Sequence, residues 1–201
     1  MRVGLSSRLR VPALFLDNSQ AAFPLWSWRF LRRFEKSNLL LSPYAQNVLG
    51  ELRLNFYKPP FSLQGKTVLD LGACCGESAW YFIEVLGAKK VFCVECDCEN
   101  IFLLNYNRKV SKLDFVVFEE AFKLSHLDLP FDFLKCDIEG GEKLLVEYIE
   151  QHEFCKPCVV EVHSEVLKER FLAAGFCVSK KFTGHNYVCY LMNNYISCFL
   201  C

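Results

Sequence analysis

No stretch of this sequence is both long and apolar. Uncharged apolar runs such as Tyr187–Met192 stop far short of the ~20 residues a membrane-spanning helix needs, so a soluble chain is expected. Glycine (10) and proline (7) are too few among 201 residues for a collagen-like or low-complexity chain, and 52% hydrophobic against 23% charged residues argues against disorder. Net charge is missing too, because 23 basic and 23 acidic side chains cancel. The cancellation is uneven: Arg2, Arg8, Arg10, Arg29, Arg32, Arg33 and Lys36 outweigh Asp17 and Glu35 in residues 1–36, which leaves the other 165 residues at −5. Such a body lacks the broad basic face of a general nucleic-acid binder and suits neutral or cationic ligands better. The apolar stretch Val11–Leu16 contains Pro12, ends at Asp17 and is followed by no small-residue cleavage pattern, so no signal peptide is expected and the location is read as cytoplasmic.

Cysteine, by contrast, is abundant at twelve. Cys93, Cys96 and Cys98 lie in or beside a strand-like run, Cys74 and Cys75 are adjacent, and Cys136 sits inside another apolar run, so free thiols in a reducing compartment are expected rather than a disulfide scaffold. C-x-x-C occurs at Cys93/Cys96, Cys155/Cys158 and Cys198/Cys201. The last two pairs could hold a zinc ion, but thiols remain the expectation and no metal is assigned.

From residue 67 onward, short β-rich runs alternate with helical stretches, the pattern of a parallel sheet covered on both faces. Strands are expected at Thr67–Leu71, Lys90–Glu95, Phe115–Phe118, Phe131–Ile138 and Val159–Val162. Helices are expected at Ser78–Leu86, at Glu99–Asn107, around Leu144–Ile149 and at Glu165–Ala174. Phe176–Phe182 and Tyr187–Met192 are separated only by Thr183–Asn186, too short for a crossover, and should form an antiparallel hairpin. Residues 1–64 fall outside this rhythm and are read as an N-terminal helical cap on the ligand face of a domain at 65–201. Phe23, Trp26, Trp28, Phe30, Leu31 and Phe34, interleaved with Arg29, Arg32 and Arg33, read as one helix packing its aromatic face; Ser42–Pro43 starts another that runs to about Tyr57. A basic amphipathic surface helix is the alternative for the first.

The strongest chemical signal is Thr67–Gly76, TVLDLGACCG: a buried strand ending in Asp70, then Gly72 and Gly76 making a tight turn into a helix. Glycine is needed where backbone must approach a ligand without a side chain, and a helix N-terminus favours polar ligand groups. Nineteen residues after Gly76, Glu95 ends the second strand, placed to accept hydrogen bonds from both hydroxyls of an adenosine ribose. The G-x-x-x-G spacing lacks the G-x-G-x-x-G that cradles a pyrophosphate, which favours S-adenosylmethionine over a dinucleotide.

TVLDLGACCGES resembles motif I of class I S-adenosylmethionine-dependent methyltransferases, VFCVECD their acidic second-strand end, and the closing hairpin their seven-stranded sheet. FDFLKCDIEGGE followed by CVVEVH is similar to the FkbM-type subfamily. The resemblance spans about Gly65 to Asn193 and implies a doubly wound, mostly parallel, Rossmann-like α/β fold and an O-methyltransferase acting on a hydroxyl of a small molecule or sugar. It implies that Asp70, Gly72, Gly76 and Ser78 line the methionine end of the cofactor, with Ala73, Cys74 and Cys75 in the same turn. Glu95 would hold the ribose with Cys96 beside it, Glu120 and Ala121 would meet adenine, and Asp137 would border the transferable methyl. Cys74 and Cys75 depart from the small and polar residues usual in that turn.

Asp137 and Glu139 on one expected strand end, and Glu161 and His163 on the next, should converge on one crevice at the carboxyl ends of the strands. His163 is read as the general base, since an imidazole ordinarily titrates near ~6.5. Alternatives stay open: His163 capping the following helix, or a metal held by these four groups. His126, His152 and His185 are read as surface residues. RNA or protein methylation, or a catalytically degenerate cofactor-fold module, are the other functional readings; Asp137-Ile138-Glu139-Gly140 lacks the Asn/Asp-Pro-Pro-aromatic block used in amino-group methylation of bases, which weakens the nucleobase case.

Overall fold

Short strands, not helices, occupy the described parts of residues 1–41. The computed structural model describes the backbone of residues 2–5, 12–15, 22–24, 32–33, 39–41, 52, 56–183 and 187–193, and the side chains of 39–41, 52 and 56–178. Strands β1 (Arg2–Leu5), β2 (Pro12–Phe15) and β3 (Ala22–Pro24) form an antiparallel sheet of their own, and β4 (Arg32–Arg33) pairs with β5 (Leu40–Leu41). The expected aromatic helix through Phe23–Phe34 is therefore absent at Phe23 and at Arg32–Arg33; Pro24 lacks the N–H a helix interior needs. Trp26, Trp28, Phe30, Leu31 and Phe34 lie outside the described residues. In the segment read as a helix from Ser42 to Tyr57, Leu52 is helical and residues 56–57 turn, the rest lying outside the described residues.

The main sheet follows in strands β6 (Thr67–Leu71), β7 (Lys90–Glu95), β8 (Phe115–Glu119), β9 (Phe133–Cys136) and β10 (Cys158–Val162), closed by β11 (Phe176–Thr183) and β12 (Tyr187–Asn193). Its spatial order is β11-β12-β10-β9-β6-β7-β8, parallel from β10 to β8, with the β11–β12 hairpin antiparallel against β10. The strands read as unbroken apolar runs because both faces are covered. Val68, Val91, Phe133 and Val159 turn to one core with Phe82 and Leu104; their neighbours Leu69, Phe92, Leu134 and Val160 turn to the other with Leu145 and Phe171.

Helix α1 (Glu77–Trp80) continues as a π-helical turn over Tyr81–Val85, where the amide of Leu86 bonds the carbonyl of Tyr81, so the expected helix at Ser78–Leu86 is wider in its second half. Helix α2 (Cys98–Ser111) starts on the Asp97 carboxylate, which accepts from the amides of Glu99 and Asn100. Helices α3 (Glu142–Gln151) and α4 (Glu165–Ala173) complete the alternation. Strand β9 is two residues shorter at each end than expected. The amide of Asp132 bonds Thr67 and that of Asp137 bonds Leu71, but the chain turns away beyond both. Among the described residues, no helix is long and apolar enough to cross a membrane.

Candidate functional site

The carboxyl ends of β6, β7, β8 and β9 open into a cleft of about 520 Å³, within the range of small-molecule sites. Its floor is the turn after β6. Gly72 adopts φ +76°, and a Cβ there would stand 1.7 Å from the carbonyl oxygen of Asp137, so only glycine lets the turn pass the β9 loop. The Glu95 carboxylate ties the turn to the second strand: Oε2 accepts from the amide of Cys74, and Oε1 from those of Cys96 and Asp97, each at 2.8 Å. Asn107, fully buried on α2, donates to the carbonyls of Cys75 and Leu40 and accepts from the Leu40 amide, which docks β5 on the turn. Leu39 and Leu41 pack there against Cys74, Cys75 and Leu103.

Beneath the turn lies a buried ion pair. Asp70 and Lys135 are register partners on neighbouring parallel strands, so their side chains meet on one face, with Nζ 3.2 Å from Asp70 Oδ1. The ammonium also donates to the carbonyl of Gly72 at 2.6 Å and lies 3.8 Å from Asp137. Burial pulls its pKa down, but the charges of Asp70 and Asp137 more than offset this and hold Lys135 above the ordinary lysine range. Ser78 donates to the other Asp70 oxygen at 2.6 Å.

At the far side of β9 the acidic loop meets β10. Tyr57 is fully buried; its hydroxyl hydrogen-bonds Glu161 and lies 3.1 Å from Asp137, while its ring faces Lys135. His163 stands among three carboxylates, 3.3 Å from Glu161, 3.7 Å from Glu142 and 3.9 Å from Glu139. Glu142 also accepts from the amides of Gly140 and Ile138. Contact with Glu142 and Glu161 raises the His163 pKa to about 11, so the ring is an imidazolium at neutral pH. Burial would raise Glu142 and Glu161, yet their contacts with His163 lower both. The base expected from an ordinary histidine is thus already protonated.

Of the residues singled out from the sequence, Gly72, Cys74, Glu95, Cys96, Glu120, Ala121, Asp137 and Glu139 line the cleft. Asp70, Ala73, Cys75, Gly76 and Ser78 lie behind its surface, with Asp70 and Ser78 bonded to each other, and His163 stands behind Glu139. Glu77, Asp97, Asn100, Phe122, Lys135, Ile138, Gly141 and Leu144 also line it without having been singled out. Asp97 carried a visible signal, an acid two residues past Glu95 at a helix start.

His126 is a correction: it is 4% exposed, not on the surface. The 3₁₀ turn Leu124–Asp128 folds back on β8, so Nδ1 accepts from the Lys123 amide, Nε2 meets Glu120 at 3.1 Å, and Phe118 and Phe122 cover the ring. His152 is exposed and stacks on Tyr148, and His185 lies outside the described residues. The nine cysteines with described side chains, Cys74, Cys75, Cys93, Cys96, Cys98, Cys136, Cys155, Cys158 and Cys177, are thiols.

This sheet order, with a Gly-turn cleft at the strand ends, defines a Rossmann-like fold of the class I methyltransferase type. Solved structures agree. TYW2 of M. jannaschii in complex with AdoMet matches with a TM-score of 0.55 at 16% identity over 81% of this chain and 84% of that one. Precorrin-6y C5,15-methyltransferase of Geobacter metallireducens matches at 0.55 and 15% identity over 83% and 95%. TrmK of M. capricolum, in complex with S-adenosyl-homocysteine, matches at 0.55 and 11% identity over 73% and 68%. No protein-family profile matches the chain, and no curated protein matches it in sequence.

Proposed function

We propose that the chain is an S-adenosylmethionine-dependent methyltransferase of FkbM type that methylates a hydroxyl of a small molecule or sugar. One observation carries the reading. Among the described residues, five carboxylates line the cleft (Glu95, Asp97, Glu120, Asp137 and Glu139) against one cation, Lys135, which is engaged by Asp70; burial keeps the sixth acid, Glu77, well above the usual carboxylate range. That field suits a cofactor bearing a sulfonium and an ammonium and repels the pyrophosphate of a dinucleotide. It equally disfavours a polyanionic RNA acceptor. The AdoMet and S-adenosyl-homocysteine bound in the TYW2 and TrmK structures support the same cofactor.

Glu95 and Asp97 would hold the ribose hydroxyls, and Ala121, Phe122, Ile138 and Leu144 would wall the adenine. Gly72, Ala73, Cys74, Cys75 and Gly76 would present backbone to the amino-acid end, over the Asp70–Ser78 support. When bound, the cofactor supplies an electrophilic methyl that needs in-line approach of a nucleophile, chiefly a matter of orientation. Asp137, fixed by Tyr57 and Lys135, would orient the acceptor hydroxyl. Glu139, 63% exposed at the cleft mouth, would take its proton, with the His163 imidazolium behind it as charge partner. Residues 1–64, which bring Tyr57, Leu39 and Leu41 to this side, would form the acceptor-side cap.

The test is a panel of hydroxyl compounds with methyl-labelled cofactor. Transfer to a small hydroxyl acceptor, reduced ~10²-fold or more in Glu139→Gln, is expected; label appearing only in RNA or protein would overturn the acceptor assignment.

A further inference from the structure

The departure at Cys74–Cys75 has its own chemistry. The two Sγ atoms lie 3.8 Å apart, both buried, and a carboxylate oxygen of Glu77 completes a set of three ligand atoms within 4.8 Å of one another. Tetrahedral zinc with Zn–S bonds of ~2.3 Å has an S···S edge of about 3.8 Å, so the thiols already stand at the spacing of two zinc ligands. The Glu77 carboxylate supplies a second, independent sign. It is 0% exposed, and neither oxygen has a hydrogen-bond partner among the described residues, a costly state for a buried acid. The oxygen of Asn100 lies 3.8 Å from Cys75 Sγ on the cleft side.

We propose that Cys74, Cys75 and Glu77 bind one zinc ion on the floor of the cleft, with the fourth position left to Asn100 or to a ligand in the cleft. On binding, both thiols and the buried Glu77 carboxyl lose their protons to solvent and the ion bonds two thiolates and one carboxylate, leaving a net charge of −1 near Lys135. Zinc suits this mixed sulfur and oxygen set, whereas magnesium and calcium take oxygen ligands only. The site is separate from the Asp137, Glu142 and His163 cluster, in which His163 pairs with Glu142 while Asp137 is held by Tyr57 and Lys135. It stands whether or not the methyltransferase reading does.

Cobalt is the probe, since it takes zinc sites and reports their geometry. The full-length protein, reduced and stripped of metal by chelation, is titrated anaerobically with Co²⁺. One equivalent per chain should bind with a thiolate charge-transfer band and the intense visible bands of a tetrahedral ion, and Zn²⁺ should displace it. Cys75→Ser and Cys74→Ser should abolish the charge-transfer band or weaken it with a blue shift. Glu77→Gln should lower affinity at least tenfold. Cys155→Ser and Cys198→Ser should change nothing. Circular dichroism checks folding; if a serine variant fails to fold, Glu77→Gln carries the test. No cobalt uptake, uptake indifferent to Glu77→Gln, or uptake lost in Cys155→Ser would overturn the site. A Glu77→Gln protein that binds cobalt normally but S-adenosylmethionine poorly would instead give the carboxylate to the cofactor's ammonium.

Discussion

The phenolic oxygen of Tyr57 lies 3.1 Å from Asp137, 80 positions further along the chain, and the same hydroxyl hydrogen-bonds Glu161 on the adjoining strand. One group thus bridges two acidic strand ends while its ring covers Lys135. Tyr57→Phe keeps the ring and deletes the bridge, removing the one O–H donor that the two carboxylates share. It should lower the unfolding free energy by ~1–3 kcal/mol, read from urea denaturation. An unchanged midpoint would contradict the bridging role.

The Asp70–Lys135 pair should behave as a buried ion pair whose halves depend on each other. Lys135 is 1% exposed and Asp70 0%. Lys135→Met leaves Asp70 uncompensated and should cost ~3–5 kcal/mol, whereas adding Asp70→Leu should recover much of the loss. Strictly additive denaturation energies would show that the pair is not coupled.

His163 sets a stability window on the alkaline side. Its folded pKa of about 11 exceeds the ordinary value of 6.5. Its contribution is therefore full below pH ~6.5, declines as pH rises, and is gone above about 11. The stability gap between wild type and His163→Gln should narrow steadily from pH 6.5 upward. Nuclear magnetic resonance at pH 8 should find the ring charged; a neutral imidazole there would return the base role to His163.

The parts of the molecule legible in the sequence are those dictated by neighbours in the chain. Thr67–Leu71 and Lys90–Glu95 stand as read, because a two-sided apolar run ending at a glycine turn or an acid has few other uses. The closing hairpin was visible because four residues cannot cross a sheet. Contacts over long separations left no local trace. Tyr57 meets partners 80 and 104 residues away. The protonation of His163 depends on Glu142, which reaches it from α3, and on Glu161 of β10, not on any spacing. His126 is buried because a 3₁₀ turn folds back, a feature with no periodic signature.

The central claim is that the acidic cleft binds S-adenosylmethionine through the end of the second strand, and calorimetry tests it directly. S-Adenosyl-homocysteine should bind one per chain, and NAD⁺ should not bind. Because Glu95 also holds the amides of Cys74, Cys96 and Asp97, Glu95→Ala should weaken binding about tenfold or more, a loss of ~1.5–3 kcal/mol. Binding of NAD⁺ in place of S-adenosyl-homocysteine, or an affinity unchanged in Glu95→Ala, would contradict the account.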